Sequence, residues 1–213
     1  MRLYRHYKNK PYKYLGVAKH SETLDEVVLY ETLYQNDLGK LWVRPRKMFD
    51  EDIQLDGKSQ ARFAKVPLEI KTLEKIASED LFELKPLFES VFNDWDQIRF
   101  AVDLKERGST QLLKAYIDGK LVGFQIGYEQ SLEVFYSWLG AVKPEFRNLG
   151  IATDLMRVQH EWCLARGYKK VQTELPNYRK EMLILKLKNG FEITGVKSDI
   201  REGLNLIMEK QLR

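Results

Sequence analysis

The chain of 213 residues has one cysteine, three histidines and six prolines. A single cysteine excludes an internal disulfide, and Cys163, beside Trp162 in a predicted amphipathic helix, reads as a buried packing thiol rather than a reactive one. Long apolar runs are also missing: no segment approaches the roughly 18 residues a membrane helix needs. The opening Met1-Arg2-Leu3-Tyr4-Arg5-His6-Tyr7-Lys8 lacks the apolar centre of a signal peptide. The expectation is a cytoplasmic protein without a membrane partner. Charge of one sign is not in excess either, since 35 basic and 31 acidic side chains leave +4. Residues 1–64 carry 12 basic and 9 acidic side chains and the remainder 23 and 22, so neither part is the basic arm of a nucleic-acid binder, and nucleic acid is not an expected partner. His6, His20 and Glu22 come nearest to a metal set, but no His or Cys pair stands at ligand spacing, so no metal is expected.

What is present is a folding composition, 44% hydrophobic and 12% aromatic, enough for one large or two small domains. Up to residue 63 the chain runs in short Tyr-, Val-, Leu- and Trp-rich stretches broken by turn residues, which predicts strands near 3–8, 12–19, 27–34 and 40–44. Arg46 to Phe49 begins a short turn, and Arg44 and Arg46, alternating on a strand, are expected to share a solvated or carboxylate-paired face. So many aromatics in about 60 residues suit a small antiparallel barrel or curled sheet. The polar, turn-rich stretch 54–60 leads to a boundary between 58 and 67, giving domains over 1–64 and 67–213. The segments Tyr4-Arg5-His6-Tyr7-Lys8, Leu15 to Glu22 and Leu41 to Phe49 resemble a small bacterial domain family of unknown function, DUF1653, which implies no activity. Aromatics between its basic residues are compatible with stacking on bases, which suits a substrate-side role for this domain.

The second part predicts a strand over 68–73, helices over 77–92 and 95–106, then strands over 111–117, 120–128 and 132–142, the first two joined by Asp118-Gly119. A helix over 150–166, a strand over 168–175, a helix from Met182 and a hairpin of 193–197 with 204–212 complete the chain. Its centre is Val142-Lys143-Pro144-Glu145-Phe146-Arg147-Asn148-Leu149-Gly150-Ile151-Ala152, a strand ending in a proline turn and running into a helix. Such a turn leaves backbone N–H groups free at the positive end of a helix, an anion site that Gly150 and Ala152 keep clear of side chains.

Arg147, Gly150 and Ala152 match motif A of the GNAT acetyltransferases, and the run from Asn177 to Gly190-Phe191 resembles motif B of the same family. The resemblance covers roughly residues 67–213. It implies an α+β protein whose barrel-like N-terminal domain precedes an α/β domain with a mixed, mostly antiparallel, splayed sheet. It also implies acetyl-CoA as donor, held by the loop of Arg147, Asn148, Leu149, Gly150, Ile151, Ala152 and Thr153 and by Asn177. The pantetheine arm would pair with main-chain groups near Leu139, Ala141 and Val142. Lys186 stands where many members carry a tyrosine or asparagine, and three roles stay open for it: proton donor to the thiolate, phosphate contact, or solvated helix residue.

The reaction implied is direct acetyl transfer to an amine, for which a general base is useful. Candidates are Glu133 on the strand 132–142, Tyr136, and Glu174 near the end of 168–175, each carboxylate having a surface role as its alternative. Alternation puts Tyr136 and Trp138 on one face and Phe135 and Ser137 on the other, unless a bulge intervenes. Phe135, Tyr136 and Trp138 suit an apolar wall, Glu129 and Glu133 a cationic amine, and His160 a surface or packing position. Polyamine, aminoglycoside, amino acid, peptide N-terminus and lysine all remain open as acceptors, and a homodimer is one candidate assembly. The alternative class is an acyl-CoA-binding sensor or adaptor whose N-terminal domain engages a protein or RNA.

Overall fold

The computed structural model describes residues 1–92, 107–199 and 203–213. The helix expected over 95–106 and the tip of the last hairpin lie outside these residues. The chain divides into two compact units, Met1–Leu68 and Glu69–Arg213.

The first unit contains β1 (Leu3–His6), β2 (Pro11–Lys19), β3 (Glu26–Thr32), β4 (Leu41–Pro45), α1 (Arg46–Asp50), β5 (Asp52–Leu55), β6 (Lys58–Ala61) and β7 (Phe63–Lys65). Five strands form an antiparallel sheet in the order β4-β3-β2-β1-β7, and β5 and β6 pair separately as a hairpin. The sheet does not close into a barrel, because β4 and β7 are its two edges. Burial is completed by α1 instead: Phe49 stacks on Phe63 with ring centroids 4.3 Å apart and packs against Tyr30 and Val28. The β5–β6 hairpin replaces the expected polar turn. Every residue of β6 is exposed, so no apolar alternation marks it, and Asp56 (φ 50) with Gly57 (φ 74) forms its left-handed turn. Arg44 and Arg46 do not share a strand face. Arg44 lies over the Phe63 ring at 5.7 Å, whereas Arg46 opens α1 and pairs with Glu26 and Asp50.

The second unit runs β8 (Glu69–Leu73), α2 (Ser78–Glu89), β9 (Thr110–Ile117), β10 (Lys120–Ser131), β11 (Val134–Val142), a 3-10 turn (Pro144–Phe146), α3 (Ile151–Ala165), β12 (Lys170–Pro176), α4 (Lys180–Lys188), β13 (Glu192–Asp199) and β14 (Gly203–Gln211). Its sheet has the order β13-β14-β12-β11-β10-β9-β8. The pairing of β11 with β12 is parallel, as a helical crossover through α3 requires; the others are antiparallel. Leu81, Leu84, Leu87 and Phe88 of α2 cover one face, packing on Leu112, Phe124 and Ile126. Lys114 fastens that helix to β9 through Asp80 and Glu83, at 2.7 and 2.8 Å. The opposite face is covered by α3 and α4, with Met156, Cys163 and Leu183 packed among Phe135, Val171, Leu175 and Met208.

A bulge interrupts β11. Gly127 pairs with Ser137 but Ile126 with Leu139, so Trp138 is the extra residue. Before it, Tyr136 faces the α2 side; after it, Leu139 and Ala141 do, so the alternation reverses as a bulge requires. Gly127 permits the close approach here, since a Cβ would lie 2.3 Å from the Phe135 ring and 2.6 Å from the Tyr136 carbonyl.

Candidate active site

A gap in the sheet sets the geometry. The strands β11 and β12 pair only from Val134 to Tyr136 against Lys170 to Gln172, although they run on to Val142 and Pro176. Each continues with its other neighbour: β11 stays paired with β10 through Val142, and β12 stays paired with β14 through Pro176. Two twisted half-sheets therefore part company, and the hydroxyl of Thr173 donates to the Ser137 carbonyl at 2.8 Å where they separate. Among the described residues no strand covers the edge of β11 at Leu139, Ala141 and Val142, so an extended ligand has main-chain partners there.

The loop after β11 lies on the α3 side of this gap. Leu149 and Ile151 are buried and pin it, while Arg147, Asn148 and Thr153 are exposed. Asn148 (φ 62) and Gly150 (φ 88) are both left-handed, and Arg147 Nε donates to the Val142 carbonyl at 3.3 Å. The first helical bond of α3 joins the Asp154 N–H to the Gly150 carbonyl, and no side chain caps the helix. The N–H groups of Ile151, Ala152 and Thr153 thus lack helical acceptors at the positive end of the dipole. With Gly150 free of a Cβ and Arg147 adjacent, this donor set fits a phosphate group. Gln159 roots the helix in the sheet: Gln125 donates to it at 2.5 Å, and it donates to Gln111 at 3.3 Å.

The face opposite α3 holds a pocket of 420 Å³. Tyr128 and Tyr136 form its aromatic side, with ring centroids 5.2 Å apart. In β12, Val171, Thr173 and Leu175 are buried toward α3, so Gln172 and Glu174 turn to the pocket, joined by Ile207 of β14 and Lys197 of β13. Glu174 accepts from Asn205 Nδ2 at 3.1 Å and pairs with Lys197 at 3.4 Å. Burial, then the Glu174 carboxylate and Tyr128, push the Tyr136 hydroxyl up to about 12. It keeps its proton at neutral pH, which makes it a hydrogen-bond donor and not a base.

The candidates read from the sequence separate in space. Tyr136 and Glu174 meet at the head of the gap. Glu133 lies in the exposed turn before β11, at the end remote from Val142, where its carbonyl receives the Lys169 and Lys170 N–H groups. Lys186 is buried (7% exposed) on the α3 face, its ammonium 4.6 Å from the Phe191 ring centroid, and burial pushes it down to about 8. His160 is buried beside it; burial, Lys210 and Lys186 lower its ring to about 3, so it stays neutral. Asn177 is exposed just past β12, its N–H donating to the Leu204 carbonyl at 2.8 Å. Phe135 is buried in the core under α3 and forms no pocket wall, and Glu129 receives the Tyr168 hydroxyl at 2.7 Å. Tyr128, Gln172, Lys197 and Ile207 were not singled out by sequence reasoning; the available signal was period-two alternation, which shows a shared face but not which strands adjoin. Among the described residues, no group of three or more His, Cys, Asp or Glu side chains is placed to hold a metal, and no helix is long and apolar enough to cross a membrane.

Comparison with known proteins bears on the fold and the family. A family model described as a protein of unknown function (DUF1653) matches residues 2–65, and the acetyltransferase (GNAT) family model matches residues 70–183, more than half of the chain. The fold is similar to that of the ribosomal-protein-S18-alanine N-acetyltransferase from Escherichia coli, at 19% identity and a TM-score of 0.59 over 68% of this chain and 94% of that one. Ard1 from Thermoplasma volcanium gives 20% and 0.58 over 68% and 98%. A GNAT family acetyltransferase from Elizabethkingia anophelis with acetyl-CoA bound gives 19% and 0.55 over 68% and 98%. At these identities the solved structures speak to the fold, and the family match speaks to kinship: this chain belongs to the GNAT acetyltransferase family, whose acyl donor is acetyl-CoA.

Proposed function

We propose that this protein is a cytoplasmic enzyme that transfers the acetyl group of acetyl-CoA to a primary amine by direct attack, with residues 1–64 and 67–213 as separate domains. One observation carries the reading: the gap between β11 and β12 has free helix-end N–H groups on one side and, at its head on the other, a pocket holding Glu174 and Tyr136. The coenzyme supplies an activated thioester. The N–H groups of Ile151, Ala152 and Thr153, with Arg147, hold its pyrophosphate. The open edge of β11 near Leu139, Ala141 and Val142 pairs with its amide-bearing arm, with Asn177 at the opposite lip.

In the pocket, Glu174 takes the proton that the acceptor ammonium must lose before its nitrogen can attack the thioester carbonyl. Tyr136 donates a hydrogen bond to the charge that develops as the carbon–sulfur bond breaks. Orientation in the gap supplies much of the remaining acceleration. Lys186, on the other face of the sheet, supports α4 and lies off this proton path.

The test is calorimetric titration of the purified chain with acetyl-CoA, followed by amines with detection of free thiol. Binding with thiol release for one amine class supports the proposal. Binding without release from any amine supports the coenzyme-sensing alternative, and absence of binding overturns both.

A further inference from the structure

We infer that the acceptor is a small zwitterion, a free α-amino acid with an apolar or aromatic side chain, in which a carboxylate lies close to the reacting amine. This rests on the acetyl-transfer reading and narrows it. Among the described residues lining the pocket, Glu174 is the one carboxylate, and it does not stand alone: Lys197 Nζ lies 3.4 and 3.5 Å from its two oxygens. Asn205 holds one of those oxygens independently at 3.1 Å. The Lys197 contact is longer than a good charge-assisted hydrogen bond, and its side chain is 59% exposed on the edge strand β13, so it opens at little cost. Asn205 keeps Glu174 in place when it does.

The resting pair has the charges of an amino acid zwitterion in reverse. An acceptor ammonium that takes the place of Lys197 on Glu174 releases the lysine to receive the acceptor carboxylate, and no charge is left unpaired. The exchange also leaves Glu174 as the sole partner of the ammonium whose proton it must accept. A polyamine or aminoglycoside makes the opposite demand. It brings several cations to a site that already carries Lys197 and has Arg107 4.5 Å from the Tyr128 ring centroid, with one carboxylate among the described lining residues to meet them. The 420 Å³ volume suits one amino acid, and Tyr128, Tyr136 and Ile207 offer its side chain apolar contacts within a lining that also holds Gln130 and Gln172.

The experiment follows thiol release by the full chain with three sets of acceptors: apolar and aromatic α-amino acids, the same compounds without their carboxylates, and polyamines with aminoglycosides. The expected result is a kcat/KM at least tenfold higher for the amino acids than for their decarboxylated counterparts. Lys197→Met should collapse that ratio toward one by raising KM for the amino acids, while Lys197→Arg retains it. Equal or better turnover of amines lacking a carboxylate overturns the inference and leaves acetyl transfer standing. Acetyl-CoA binding without turnover of any small amine also overturns the inference, and points to a macromolecular acceptor or to the sensing module. Failure to bind acetyl-CoA removes the underlying reading itself.

Discussion

The Thr173 hydroxyl donates to the Ser137 carbonyl at 2.8 Å, immediately beyond the last main-chain pair between β11 and β12. A side chain thus closes the sheet at the point where its main chain stops doing so. Thr173→Val keeps the shape and leaves a buried carbonyl without its donor, so stability should fall by about 1–2 kcal/mol in denaturant titration. Acetyl-CoA affinity should weaken with it, because the head of the gap loses its clasp. An unchanged midpoint and affinity would show that the two half-sheets hold their separation without the bond.

Gly150→Asp should abolish acetyl-CoA binding in calorimetry while the chain stays folded. Gly150 is left-handed at the start of α3, and the variant puts a carboxylate where the pyrophosphate is proposed to meet the N–H groups. Retained affinity would exclude this loop as the phosphate site.

Replacing Glu174 by Gln should lower kcat by roughly 10²- to 10⁴-fold. The amide can still accept from Asn205, so the melting temperature should change little. A variant with full kcat rules out Glu174 as the base.

Lys186 predicts a pH dependence of stability. Its folded-state amine sits at about 8 against an ordinary 10.5, with burial as the cause. Between those values the unfolded chain holds a proton that the native state has released, so stability rises with pH across that window. Below about pH 8 the native state carries the whole penalty, on the order of 3 kcal/mol. Lys186→Met should therefore stabilise the protein at neutral pH by about 1–3 kcal/mol, flatten the rise between pH 8 and 10, and leave kcat unchanged. Loss of turnover at all pH values would return Lys186 to the proton path.

Gly127→Ala should destabilise the second unit by about 1–3 kcal/mol or more, since its Cβ meets both the Phe135 ring and the Tyr136 carbonyl. The displaced Tyr136 should also depress kcat. Thermal unfolding and steady-state rates measured on one preparation separate the two effects.

The backbone form of the loop proposed to hold the pyrophosphate was legible because its information is contiguous. Arg147, Gly150 and Ala152 stand within six residues, and a left-handed glycine before an uncapped helix is a local property of the backbone. Among the described residues, the order of strands and helices in the second unit was legible for the same reason, since turns such as Asp118-Gly119 (φ 49 and 73) and the α3 crossover are written locally. Of the barrel or curled sheet expected for the first unit, the antiparallel sheet is found without closure, and Phe49 of α1 covers its aromatics from outside any strand. Helix α4 hid its buried face. It carries Lys186 inward and leaves Ile184 and Leu187 exposed, the reverse of what polarity alone predicts.

By itself the sequence determined the family, the donor and the loop proposed to hold it, because each rests on neighbours along the chain. Only the tertiary structure decided which candidates for acceptor chemistry stand together. Tyr136, Glu174 and Lys197 come from three strands, β11, β12 and β13, that meet through the order β13-β14-β12-β11. Their side chains reach one pocket because each strand turns alternate residues to the same face, and the bulge at Trp138 follows Tyr136 without reversing it. That juxtaposition is a property of sheet pairing across distant segments, which no local pattern records.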